Sequence, residues 1–352
     1  MGVTARIAGA LAGAAGIAAA GGAVRVAQRR RHISQRAGTA APFGSLHSAP
    51  VTVIADDGVP LHVEIDEAVH VDARHSPPPV TIVFAHGYAL NLDCWHFQRA
   101  AFRGLVRTVF YDQRSHGRSG RGDIKEGTID QLGRDLKAVI DAVVPDGPVV
   151  LVGHSMGGMT IVAFAEQFPE LMGAKVIGAA LISTTAGGLD PARLLFPMVP
   201  SRFTSGFASG TVRALARGHR AVDGVRRLGR SIATVATDSF AFGDEVPASY
   251  VEFVDDMLSA TPFQVVAEFF PGFGEFDKFD HVGILGEVPT TVICGTADKL
   301  TSIGHSRKLN ARIPGSTLVE CPGAGHMVIL ERHGQVNAAL DQLLSAAQVS
   351  RS

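Results

Sequence analysis

From residue 51 onward, short and nearly continuous apolar runs alternate with stretches whose apolar residues recur every three or four positions. Val51–Ile54 and Leu61–Ile65 flank the turn signal Asp56-Asp57-Gly58 and predict a β-hairpin. Val80–Ala85, Val106–Tyr111, Val149–Gly153, Val176–Ser183, Thr290–Gly295 and Ser316–Val319 predict further strands, apolar enough to be covered on both faces. Ile129, Leu132, Leu136, Val139, Ile140 and Val143 fall at helical spacing, and Met156–Phe168 and Gln335–Ala346 predict two more helices. The alternation implies an α/β fold: a mostly parallel central sheet with helices on both faces, begun by an antiparallel hairpin.

Two stretches break the pattern. Residues 186–284, after the sixth strand, hold no clear strand but carry 12 of the 19 phenylalanines. An insertion of that length predicts a helical lid between core segments 51–185 and 285–348. Phe269, Phe270 and Phe273 surround Pro271-Gly272 and are read as a bend lining an apolar substrate site, against the alternative of the subdomain's own core. At the other end, Ile7–Val24 is an uncharged, Ala/Gly-rich run of 18 residues. Arg6 precedes it, and Arg25, Arg29, Arg30, Arg31 and Arg36 follow. A bilayer-crossing helix needs about 20 residues, and arginines resist translocation. Membrane association through residues 7–24, with the rest of the chain on the cytoplasmic side, is therefore expected. A cleaved export signal ending near Ala18-Ala19-Ala20 and a plain tail ahead of a soluble protein are the alternatives. Residues 37–50 read as a polar linker.

Composition narrows the class. Of 352 residues, 46% are apolar and 18% charged, which excludes disorder and coiled coil. The net charge of −1 argues against a nucleic-acid partner, although residues 1–55 carry six arginines and no acid. Cys94, Cys294 and Cys321 are odd in number and far apart, against a disulfide framework or a zinc site.

The chemistry gathers at strand ends. Gly153-His154-Ser155-Met156-Gly157 follows a buried strand and opens a helix. A serine on so tight a turn is forced into a strained backbone conformation, and the flanking glycines leave it room. A serine hydroxyl needs a base, and the base an orienting acid. Asp298, beyond the strand at 291–295, and His326, beyond the last strand, would project at the same sheet edge as Ser155. Asp190 is an alternative acid, whereas Glu331 is expected to cap or pair within a helix. The backbone N–H groups of Tyr88 and Met156 would form an oxyanion hole, with His86 bracing its loop.

With these residues placed, the chain resembles the α/β-hydrolase superfamily in its branch of lidded esterases, lipases and perhydrolases. The resemblance spans residues 51–346. It rests on His86-Gly87, the segment Asp112-Gln113-Arg114-Ser115-His116-Gly117-Arg118-Ser119, the Ser155 turn, Gly295-Thr296-Ala297-Asp298 and Gly325-His326. Ser115 and His116 stand where the family more often has glycine and a variable residue, and Asp112 and Arg114 look structural. Asn91-Leu92-Asp93-Cys94-Trp95 resembles a substrate-facing loop, so Trp95 is expected to line the pocket or pack against it.

The resemblance implies the α/β-hydrolase fold with a lid after the sixth strand, and acyl transfer by Ser155, His326 and Asp298 without metal or organic cofactor. A phenylalanine-rich lid favours a small lipophilic ester, such as a monoacylglycerol, a lysolipid or another acyl ester. A peptidase, a carbon–carbon hydrolase and a perhydrolase share the same triad. A peptidase would need an acid to hold the substrate amine, which Glu252, Asp255 or Asp256 could supply. A slow-turnover ligand receptor is the reading outside enzymology.

Overall fold

The computed structural model describes residues 42–69, 79–123, 127–189 and 230–349, with the single positions Gln28 and Lys125. Strand β1 (Pro50–Ile54) pairs antiparallel with β2 (Pro60–Asp66), and Gly58 takes the positive φ of 88° in the turn between them. β2 continues antiparallel onto β4 (Arg107–Tyr111). From there the sheet is parallel through β3 (Thr81–Ala85), β5 (Val149–His154), β6 (Val176–Ile182), β7 (Thr290–Gly295) and β8 (Thr317–Cys321). The spatial order is β1-β2-β4-β3-β5-β6-β7-β8. The chain leaves β3 for β4 on one side and returns to β5 on the other. Loops that part in this way leave a crevice at the carboxyl ends of the strands.

Successive residues of a strand point to opposite faces, and the sheet uses both. Val83, Val109, Leu151 and Val292 enter one core, while Ile82, Phe84, Phe110, Val150 and Ile293 enter the other. Helices α2 (Ile129–Val143), α3 (Met156–Gln167) and α7 (Ile303–Arg312) cover the first face. Helices α1 (His96–Phe102), α8 (Val328–Glu331) and α9 (His333–Val349) cover the second. The local signals are conventional. Thr128 caps α2 by accepting from Gln131 N–H at 3.1 Å, and Asp130 lies in its first turn.

Between β6 and β7 the described chain is helical: α4 (Arg230–Ala241), α5 (Ala248–Ala260) and α6 (Phe263–Glu275). The expected bend at Phe269–Phe273 is instead part of α6, with Pro271 inside the helix. Helical periodicity therefore sets where these rings point. Phe269 and Phe273 share a face and, with Phe276 and Phe279, are buried in the first core, and Phe270 is buried as well. Asp190 lies outside the described residues.

Part of the expected linker is packed against the body. Phe43 stacks on Phe253 of α5 with ring centroids 4.6 Å apart and meets Tyr250 edge-on at 5.2 Å. Ser48 N–H donates to Glu64 on β2 at 2.9 Å. Among the described residues no helix is long and apolar enough to cross a membrane, and residues 7–24 lie outside them.

Candidate active site

Ser155 stands between β5 and α3 at φ 53° and ψ −117°, a conformation that costs about 1–3 kcal/mol and persists only where the surroundings enforce it. They do so through backbone contacts. Ser155 N–H donates to Ile182 O at 2.9 Å, and Thr184 Oγ1 donates to Ser155 O at 2.6 Å. The flanking glycines are obligatory: a Cβ on Gly153 would come 2.4 Å from Gly157 O, and one on Gly157 2.0 Å from Ala85 O.

Asp298 follows β7 and His326 follows β8, and the two loops are joined by Ala297 N–H donating to Ala324 O at 2.9 Å. Asp298 Oδ1 accepts from Leu300 N–H at 2.8 Å and Thr301 N–H at 3.0 Å. Its Oδ2 accepts from Thr301 Oγ1 and from His326 Nδ1, both at 2.9 Å. Burial pushes the Asp298 pKa up, but the His326 imidazole and these hydrogen bonds outweigh it and hold the carboxyl below its ordinary value. An ionised Asp298 accepting from Nδ1–H leaves Nε2 of His326 as the basic nitrogen.

His154, one residue before Ser155, is fully buried and donates from Nε2 to the His326 main-chain oxygen at 3.0 Å. Burial, with the neighbouring His326, lowers its pKa to about 3, so it is a neutral brace. His86 behaves alike. Its Nε2 accepts from Gln113 N–H at 2.9 Å, its Nδ1 donates to Gly87 O at 2.7 Å, and burial takes its pKa to about 3. The Tyr88 hydroxyl donates to Val266 O, which ties the β3 loop to α6. Among the described residues, the N–H groups of Tyr88 and Met156 donate to no protein acceptor.

Asp112 and Arg114 hold loops together. Asp112 accepts from Leu92 N–H at 2.7 Å and Arg118 N–H at 2.8 Å, while Arg114 grips Asp135 and Asp57. Glu331 accepts from three backbone N–H groups, including that of Gly325 at 2.8 Å.

Gly87, Tyr88, Ser155 and His326 border one cavity of about 450 Å³. The insertion supplies its apolar wall through Phe240, Val254, Leu258, Phe263 and Val266. Thr237, Asp255 and Ser259 add polar groups. Trp95, Phe269, Phe270 and Phe273 do not border it. Trp95 ends a tight turn (Leu92–Trp95) that directs it into the second core, where it packs on Phe84 at 5.0 Å. Phe273 instead supports Tyr88 from below at 4.9 Å, and Phe269 packs on His116 at 5.3 Å. The wall residues were legible only through helical spacing inside the insertion: Ala236 with Phe240 and Val254 with Leu258 are each four apart. Among the described residues no cluster of three or more His, Cys, Asp or Glu side chains is placed to hold a metal ion.

Comparison with known proteins bears on this geometry. The monoacylglycerol lipase of Mycolicibacterium smegmatis is 23% identical over 72% of this chain and 83% of its own length. The dihydrolipoyllysine-residue acetyltransferase component of the acetoin cleaving system of Pseudomonas putida is 25% identical over 73% of this chain, which spans 61% of that relative's length. Among solved structures, a thermophilic esterase from Thermogutta terrifontis superimposes with a TM-score of 0.66 at 22% identity, covering 85% of this chain and 99% of that one. The enol-lactonase from Burkholderia xenovorans gives 0.65 at 24% identity, covering 84% and 100%. Esterase and lipase relatives support a hydrolase. The alpha/beta hydrolase family model matches residues 82–339, most of the described fold and all three of Ser155, Asp298 and His326, and the chain belongs to that family.

Proposed function

We propose that the protein is a serine hydrolase that cleaves a lipophilic carboxylic ester through an acyl-enzyme. The observation that carries this reading is a strained Ser155 sharing one largely apolar cavity with a His326 whose Nδ1 is held by Asp298 at 2.9 Å. At about 450 Å³ the cavity falls within the range of small-molecule sites.

Ser155 Oγ attacks the ester carbonyl carbon while His326 Nε2 takes its proton. The Tyr88 and Met156 N–H groups receive the developing oxyanion, their donors unspent on protein acceptors. The bond to the alcohol oxygen breaks as His326 returns the proton to it, leaving acyl-Ser155. Water, deprotonated by the same imidazole, attacks the acyl carbon, and the acid departs as Ser155 recovers its proton. Asp298 keeps the imidazole aligned throughout. Among the described residues Ser155 Oγ has no hydrogen-bond partner, and a nucleophile–base contact of this kind commonly tightens only when substrate is bound. The insertion acts as the lid over the acyl chain.

The test is a p-nitrophenyl ester series from acetate to palmitate on the full chain, with Ser155→Ala as control. Turnover that rises toward medium and long chains and is lost in Ser155→Ala is expected. Turnover that peaks on acetate would overturn the lipophilic substrate, and full activity in Ser155→Ala would overturn the mechanism.

One observation favours a second reading. Of the three acids named as possible holders of a substrate amine, only Asp255 is buried at the cavity wall, where Thr234 and Thr237 donate to it, while Glu252 and Asp256 are exposed. A substrate amine could be held there, and hydrolysis of aminoacyl p-nitroanilides in preference to esters would mark a peptidase.

A further inference from the structure

The Glu331 side chain is fully buried although it ends the short helix α8. Its Oε1 accepts from Asp244 N–H at 2.8 Å; its Oε2 accepts from Gly325 N–H at 2.8 Å and Gly243 N–H at 3.2 Å. Gly325 immediately precedes His326. Gly243 and Asp244 lie in the turn joining α4 to α5, two helices that border the cavity. A carboxylate suits this place because it offers two acceptor oxygens and no donor.

The two segments touch backbone to backbone. A Cβ on Gly243 would come 2.0 Å from Gly323 O, and one on Gly325 would come 2.5 Å from Gly243 N. Met327 N–H donates to Ala241 O at 2.8 Å, closing the contact on the cavity side. Arg332 bridges Asp244 and the Pro322 carbonyl from outside. Glu331 itself does not border the cavity.

We propose that Glu331 is a positioning residue that locks the α4–α5 turn to the loop of His326, so that the imidazole and the insertion's share of the cavity wall are held as one unit. This inference rests on the serine-hydrolase reading of the same site. Removing the carboxylate frees Gly325 and the turn together, and the imidazole loses its fixed distance to Ser155. Misplacement of a catalytic group by about 1 Å lowers turnover by about 100-fold.

The experiment compares the full-length wild type with Glu331→Gln and Glu331→Asp. Glutamine keeps the size but turns one acceptor into a donor facing an N–H. In a folded Glu331→Gln, kcat on p-nitrophenyl butyrate should fall by about 10–100-fold with KM little changed. Fluorophosphonate labelling of Ser155 should slow in parallel, and Glu331→Asp should recover part of both. Hydrogen exchange in wild type should show 242–244 and 323–327 opening together. A folded Glu331→Gln with wild-type kcat and labelling would overturn the inference, as would independent opening of the two segments in wild type. The exchange measurement decides the matter if Glu331→Gln does not fold. Absence of Ser155-dependent turnover and labelling in wild type would instead sink the serine-hydrolase reading.

Discussion

The loops at the carboxyl edge of the sheet and the helical insertion meet at one cavity, yet they are built by opposite means. In the loops, backbone packs on backbone: a Cβ on Gly157 would sit 2.0 Å from Ala85 O, and one on Gly295 2.2 Å from Ala324 O. The Asp298 carboxylate there takes four hydrogen-bond donors. The insertion presents aliphatic and aromatic side chains, and its Gly272 has nothing within 4 Å of where a Cβ would be. The lesson is that glycine is indispensable where backbone meets backbone, at Gly157, Gly295 and the insertion's own Gly243, and replaceable on the open helix face at Gly272. On the proposed serine-hydrolase reading, the loops hold the reacting groups, while the helices supply most of the apolar cavity wall.

That contrast can be broken, beginning with the largest effect. Asp298→Asn should lower kcat by about 10⁴-fold with the fold intact, since the imidazole loses its tautomer and orientation. A near-silent Asp298→Asn would show that the acid lies elsewhere. Leu258→Trp, on the insertion side, should cut kcat/KM for long acyl esters by about tenfold or more while sparing acetate. An equal loss on every chain length would place Leu258 in the chemistry and erase the division.

Acid should strike the loops. Burial lowers the pKa of His86 and His154 to about 3 and of His116 to about 4, against an ordinary 6.5. Between pH 6.5 and about 4 the unfolded chain therefore binds protons that the folded chain refuses. Stability is fully present above the ordinary value and should fall as pH drops, by up to about 1.4 kcal/mol per pH unit for each histidine. Urea unfolding from pH 7 to 4.5 measures it, and a flat profile would contradict three neutral buried imidazoles. The smallest effect is Gly272→Ala, a helical position with open space, which should raise stability by about 0.4–1 kcal/mol in the same assay.

Most of the sheet was legible because its strands are buried on both faces and so read as uninterrupted apolar runs, as in Val149–Val152. The positions of Ser155, Asp298 and His326 followed from where those runs end. The insertion was harder. Its phenylalanines announce an apolar surface but not which side of a helix they occupy, so Phe269 and Phe273 looked like pocket residues when they pack against the core. For Trp95 lining and packing both stayed open, because a loop near a site does not reveal the direction of its side chains, and it packs in the second core. Glu331 was visible as an acid beyond His326, but its three partners come from two segments some 80 residues apart, and only the folded chain brings them together.

The stacking of Phe43 on Phe253 limits how the chain can be trimmed. Phe253 belongs to α5, whose neighbouring Val254 borders the cavity, so the segment ahead of the first strand is a buttress of the cavity wall. A protease cutting before Pro42 would spare that buttress, whereas one cutting at the start of β1 would leave a complete sheet with an unsupported wall. The packed unit therefore reaches at least some eight residues ahead of the first strand.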